Sequence, residues 1–95
     1  MRFEWNQVKN RQNQAKHGVS FETAALVFCD PFLLSAPDMR YIDIEQRWYS
    51  LGCIETTVLY VTHTMSEDED GEEIIHIISA RNATPGEERR YFAQR

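Results

Sequence analysis

Apolar positions change their spacing several times along the chain, and each change predicts an element. The clearest run is Ile74–Ala80, Ile-Ile-His-Ile-Ile-Ser-Ala. A cluster of β-branched isoleucines this dense predicts a buried strand. Thr57–Thr64, Thr-Val-Leu-Tyr-Val-Thr-His-Thr, is the next most strand-like segment. Gln46 to Cys53 predicts another strand, with Gly52 marking a bend or bulge. Residues 32–36 predict a first strand, ended by Pro37-Asp38. Helical signals occupy the ends of the chain. Asn6 can cap a helix over about residues 7–16, whose apolar stripe is narrow: Val8, Ala15 and the flanking Trp5. Gly18 suits its C-terminal cap, and Lys16 and His17 complement the helix dipole in its last turn. Ser20 caps a second helix that buries Phe21, Ala24, Ala25 and Phe28 and stops at Asp30-Pro31. Thr84, Pro85 and Glu87 form a capping box that opens a third, carrying Arg89, Arg90, Tyr91 and Phe92.

The order is helix, helix, four strands, helix. Sequential strands with short loops favour an antiparallel meander, and helices grouped outside the sheet favour an α+β layer architecture. One sheet face is covered by helices and the other is left partly open. Residues 38–46 form an acidic, irregular loop, and residues 65–73 join the last two strands as a long, solvated hairpin loop. The 95 residues make one domain spanning 1–95, without repeat or linker.

Composition narrows the function classes. No apolar run reaches the ~18 residues of a membrane span, and the opening Met-Arg-Phe-Glu-Trp-Asn is no secretory signal. Cys29 and Cys53 lack metal spacing and are expected reduced, in the cytoplasm. A net charge of −5 argues at first against a nucleic-acid partner. Six of the fifteen acids lie in residues 67–73, however, which leaves ten basic residues against nine acids elsewhere. Residues 1–20 hold four basic residues and one acid, and residues 74–95 four and two. Local field steers a charged ligand more than the total does.

No phosphate loop, zinc pattern or serine triad is present, and His17, His63 and His76 are too scattered for a metal site. Cleaving RNA without metal needs a base for the 2′-hydroxyl, cations for the phosphorane charge and an acid for the leaving oxygen. The candidates are Lys16, His17, Glu45, Arg47, His63, Arg81 and Tyr91, with Trp48 or Tyr49 to stack bases. Several have a bland alternative: Lys16 and His17 as helix-end residues, Arg81 as a partner of a local carboxylate, Trp48 and Tyr49 as core. If strands 57–64 and 74–80 pair as a hairpin, His63 and Arg81 lie at opposite ends of it, whereas Arg47 falls close to His63.

Three blocks together resemble the BrnT family of toxins. They are Phe3-Glu4-Trp5 with Lys9-Asn10 and Lys16-His17-Gly18-Val19-Ser20-Phe21-Glu22; Glu45-x-Arg47-Trp48 with Gly52; and Ile77-Ile78-Ser79-Ala80-Arg81-x-Ala83-Thr84 before Glu88-Arg89-Arg90-Tyr91. The resemblance implies a RelE-like α+β fold with two N-terminal helices, a four-stranded antiparallel sheet and a C-terminal helix. It implies the ribonuclease half of a type II toxin–antitoxin pair that needs no metal or other cofactor, inhibits translation and is neutralised by a BrnA-like ribbon-helix-helix antitoxin. Operator DNA would be met only through that antitoxin, in a complex that allows a toxin homodimer. Carried over by position, the functional residues are Lys16, His17, Glu45, Arg47, His63 and Arg81. Asn82 stands where family members often have a second basic residue, and the acidic loop is longer than usual. Those departures keep open a second reading, a catalytically weak homologue that acts as antitoxin-binding co-repressor.

Overall fold

The computed structural model describes all 95 residues. The elements are β1 (Arg2–Glu4), α1 (Gln7–His17), α2 (Phe21–Ala25), β2 (Leu34–Asp38), β3 (Arg47–Ile54), β4 (Thr57–Glu67), β5 (Glu73–Asn82) and α3 (Pro85–Ala93). Short 3₁₀ turns cover Leu26–Cys29 and Met39–Tyr41. The architecture is mixed α+β, as the sequence predicts, but the sheet has five strands in the order β1-β5-β4-β3-β2. β2 to β5 form the expected antiparallel meander. The added strand, β1, pairs parallel to β5, with Phe3 opposite Ile75.

The helix caps follow the sequence. Asn6 accepts from Lys9 N–H, Gly18 closes α1 at φ 71°, and Ser20 accepts from Thr23 N–H. The second helix is shorter than expected: α-geometry ends at Ala25 and tightens into the 3₁₀ turn. The hairpin loop is also shorter, because β4 runs to Glu67 and β5 starts at Glu73. β2 sits two residues later than expected and includes Pro37, which an edge strand tolerates.

One sheet face carries the main core. Leu59, Val61, Ile75, Ile77 and Ala80 pack there against Val19, Phe21, Ala24 and Val27. α1 does not dock through Val8 and Ala15, of which Val8 is half exposed and Ala15 is on the surface. It docks through two buried asparagines. Asn10 accepts from Phe21 N–H and donates to Glu22. Asn13 donates to the carbonyls of Val19 and Ala80 and accepts from Ala80 N–H, so its amide stands in for a neighbouring strand where β1 has stopped. Gly52 marks no bend: it lies within β3 under Val27, whose Cβ would be 2.6 Å from an added methyl carbon. On the other face a smaller core of Leu51, Val58 and Tyr91 seats α3. The Tyr91 hydroxyl donates to Asp30, which also accepts from Cys53 and Phe32 N–H groups. Burial of Tyr91, with the Asp30 carboxylate beside it, pushes its phenol up to about 12.

Candidate functional site

Alternation along the strands sorts the polar side chains by face. Arg47, Tyr49 and Leu51 share one face of β3, and the register places Leu51 opposite Tyr60 and Tyr60 opposite Arg81. Tyr60 and Arg81 therefore lie on the α3 side of the sheet, Tyr60 against the small core that seats the helix and Arg81 at the helix start. The Tyr49 and Tyr60 rings stack at 5.2 Å, only 9° from parallel. The Arg81 guanidinium lies over Tyr60 at 4.1 Å, and that of Arg90, from α3, lies over Tyr49 at 5.4 Å. Arg90 also donates to the Tyr49 hydroxyl at 2.6 Å. The result is a row of guanidinium, ring, ring and guanidinium on a rigid sheet surface.

Two further arginines extend this surface. Arg47 lies over Tyr41 at 4.2 Å and donates to Glu45 at 2.7 Å. Arg40 lies over the same ring at 5.5 Å and forms a two-pronged pair with Asp38. The Arg40 hydrogen bonds hold the Asp38 carboxyl below its usual range, more than offsetting its burial. Arg81 pairs with Glu87 through two hydrogen bonds of 2.8 and 3.0 Å, and these hold the Glu87 carboxyl low as well. Strand geometry separates the Cα atoms of Arg47 and Arg81 by two strands and four residues, roughly 16 Å. The two share a face but not a single phosphate.

The other residues singled out in the sequence fall elsewhere. Lys16 and His17 are exposed at the end of α1, where they line a cleft of about 290 Å³ with Lys9, Gln12 and Ser79. Ser79 is two residues along β5 from Arg81, so this cleft opens around the sheet edge from the arginine surface. His63 is neighbour to Arg47 as expected, since Trp48 is its partner in the register. A bulge in the β4–β5 ladder at Thr62/His63 accompanies its inward placement, on the main-core face. There it is fully buried, with Phe28 edge-on at 5.0 Å. Its Nδ1 contacts the Thr64 carbonyl, which can only accept, so Nε2 accepts from the Ser50 hydroxyl at 2.7 Å. Ser50 in turn accepts from Ser35 at 2.6 Å. Burial lowers the His63 pKa, and the Thr64 contact offsets this only in part. A phosphate on the arginine surface cannot reach this ring. Tyr91 is likewise buried and engaged with Asp30.

Tyr49, Tyr60 and Arg90 complete the row, yet only Tyr49 was singled out, as a base-stacker. Its alternation with Arg47 is visible in the sequence; the pairing of Leu51 with Tyr60 and the seating of Arg90 are not. No group of three or more His, Cys, Asp or Glu side chains gathers in metal-binding geometry, and no helix is long and apolar enough to cross a membrane.

Among curated proteins, none matches the chain. A family model does match, over residues 5–87, and its description is ribonuclease toxin, BrnT, of type II toxin-antitoxin system.

Proposed function

The chain belongs to the BrnT family of ribonuclease toxins of type II toxin–antitoxin systems, and from that premise we propose that it cuts RNA on the arginine–tyrosine face of its sheet. The observation that carries this reading is the row Arg81–Tyr60–Tyr49–Arg90. Both faces of each ring are taken within the row, so an unpaired base stacks on the outer plane of a guanidinium that a tyrosine backs. Arginine forks match phosphate oxygens and keep their charge at any physiological pH. Fixed cations aimed at a phosphate stabilise the charge that grows on it during attack by the 2′-hydroxyl.

In this reading Arg81 holds the reacting phosphate, and Arg90, at the other end of the row, sets the Tyr49 hydroxyl. Tyr49, whose oxygen already accepts from Arg90, gives its own proton to the leaving 5′-oxygen, while the proton of the attacking 2′-hydroxyl passes to solvent water. Arg47, steadied by Glu45, holds a neighbouring phosphate, in keeping with the separation of roughly 16 Å from Arg81. Lys16 and His17 act around the edge of β5 on RNA leaving the face. The reaction runs on these side chains without metal, within a single RelE-like domain spanning 1–95. The cell meets it as cytoplasmic inhibition of translation, relieved by a BrnA-like antitoxin that alone contacts operator DNA.

The test is induced expression of wild type, Arg81→Ala and Arg47→Ala, with growth and RNA integrity followed together. Arrest with RNA loss in wild type and neither in Arg81→Ala is expected; full toxicity of both variants refutes the site. A second reading, an antitoxin-binding co-repressor of weak activity, draws on the carboxylates seated on Arg40, Arg47 and Arg81. It requires folded wild type to leave RNA intact while still binding the antitoxin.

A further inference from the structure

Glu87 enters the sequence as a helix cap, and in the structure it does a second thing. Its Oε1 accepts from Thr84 N–H at 2.9 Å, and Thr84 Oγ1 accepts from Glu87 N–H at 3.2 Å, which closes the capping box of α3. The same carboxylate takes Arg81 end-on, Oε1 from Nη1 and Oε2 from Nη2. The other proton of Nη1 goes to the Asn82 carbonyl at 3.2 Å. Tyr60 backs one face of the guanidinium. Of the five donors of this side chain, three are thereby used. The two left over are Nε–H and the Nη2–H on the same side. They form a second fork along the guanidinium edge, with no partner in the protein.

We infer that Glu87 is a positioning residue, which locks Arg81 so that its Nε/Nη2 edge is presented to the phosphate of RNA. The inference rests on the arginine–tyrosine face being the site of cleavage. Arg40 shows the contrast: its own Nε and Nη2 are filled by Asp38, so that edge is closed to a ligand. The clamp is also tied to the fold. Tyr91 is buried and bound to Asp30, which fixes α3 against the sheet. The helix start then holds Glu87, and Glu87 holds Arg81. A guanidinium on a flexible stem is thus fixed at both ends.

Purified Glu87→Gln, Thr84→Ala, Arg81→Ala and the Arg81→Ala/Glu87→Gln double variant test this with a defined single-stranded RNA. Glu87→Gln keeps an acceptor for Thr84 N–H but loses the charge that grips Arg81. It is expected to lower kcat by about 10–100-fold, as small misplacements of a charged group do, with a smaller change in KM. Thr84→Ala weakens the same cap without touching Arg81, and folded Thr84→Ala is expected to cut at the wild-type rate. The double variant is expected to be no slower than Arg81→Ala alone, since Glu87 acts only through Arg81. Faster cleavage by Glu87→Gln would mean that the carboxylate blocks the phosphate, and additive losses would mean that it acts by itself; either overturns the inference. Loss in Arg81→Ala with full activity in Glu87→Gln overturns the positioning role alone. Full activity in Arg81→Ala overturns the site, and the inference with it.

Discussion

The two faces of the sheet are built from opposite materials. The face under α1 and α2 is apolar from β5 to β4 and closes over Phe21, Val27, Val61 and Ile77, all at most 1% exposed. The face under α3 has only Leu51, Val58 and Tyr91 as a core. Around that helix it turns to arginine and tyrosine. Its arginines lie over tyrosine rings, and Arg40, Arg47 and Arg81 also meet carboxylates. The comparison teaches a division of labour. A small domain stabilised mainly from one side can leave charged, half-solvated groups on the other. Changes on the first face should cost stability, and changes on the second should cost chemistry.

The largest expected effect falls on the covered face. Phe21→Ala should lose about 3–5 kcal/mol, as large-to-small changes in a closed core do, measured by urea denaturation. A loss under about 1 kcal/mol would show that this face is not where the stability lies. Arg81→Ala should do the reverse. Its cleavage rate should fall about 100-fold or more, while stability shifts by at most ~1 kcal/mol, because the ion pair it removes is partly solvated. An unfolded Arg81→Ala would break the division. Asn13→Ala leaves Ala80 N–H and C=O at the β5 edge without their partner. It should cost about 1–3 kcal/mol, with faster amide exchange at Ala80 as a local signature.

The smallest effect is a pH slope. Burial holds folded His63 below the ordinary imidazole value of about 6.5. As pH falls below about 6.5 the unfolded chain takes up a proton that the folded chain refuses, so this contribution is complete above that value and drains below it. The slope can reach about 1.4 kcal/mol per pH unit. His63→Gln should flatten the change in denaturation midpoint between about pH 7 and about pH 5.5. An unchanged slope would mean that His63 is charged in the fold, which would contradict its buried bond from Ser50.

Much of this was legible from local chemistry. Caps are short-range, so Asn6, Gly18, Ser20 and the Thr84–Glu87 box all sit where side-chain spacing puts them. The isoleucine run gives β5 by itself. What the sequence hides is long-range. β1 is three residues long, too short for any periodicity, and exists because β5 offers a free edge. The docking of α1 by asparagines looks polar and therefore exposed until Ala80 is seen to need both partners. Arg47 and Arg81 are picked out in the sequence by residue type and family likeness, with no shared face assigned to them. Their separation depends on the register, and the inward turn of His63 goes with a bulge that no spacing rule announces.

The parallel join of β1 to β5 has a consequence in time. Arg2 waits for Ile74, and Asn13 for Ala80. Closing contacts so far apart in the chain is slow and late. During synthesis the residues that make the arginine surface cannot be assembled until β5 and α3 have both emerged. A nascent chain is therefore expected to lack that surface until its synthesis is nearly complete. Ribosome-bound chains stalled before Glu73 should be digested readily by protease, whereas chains extended well past Ala93 should resist. Protection of the shorter chains would show that the sheet does not wait for its last strand.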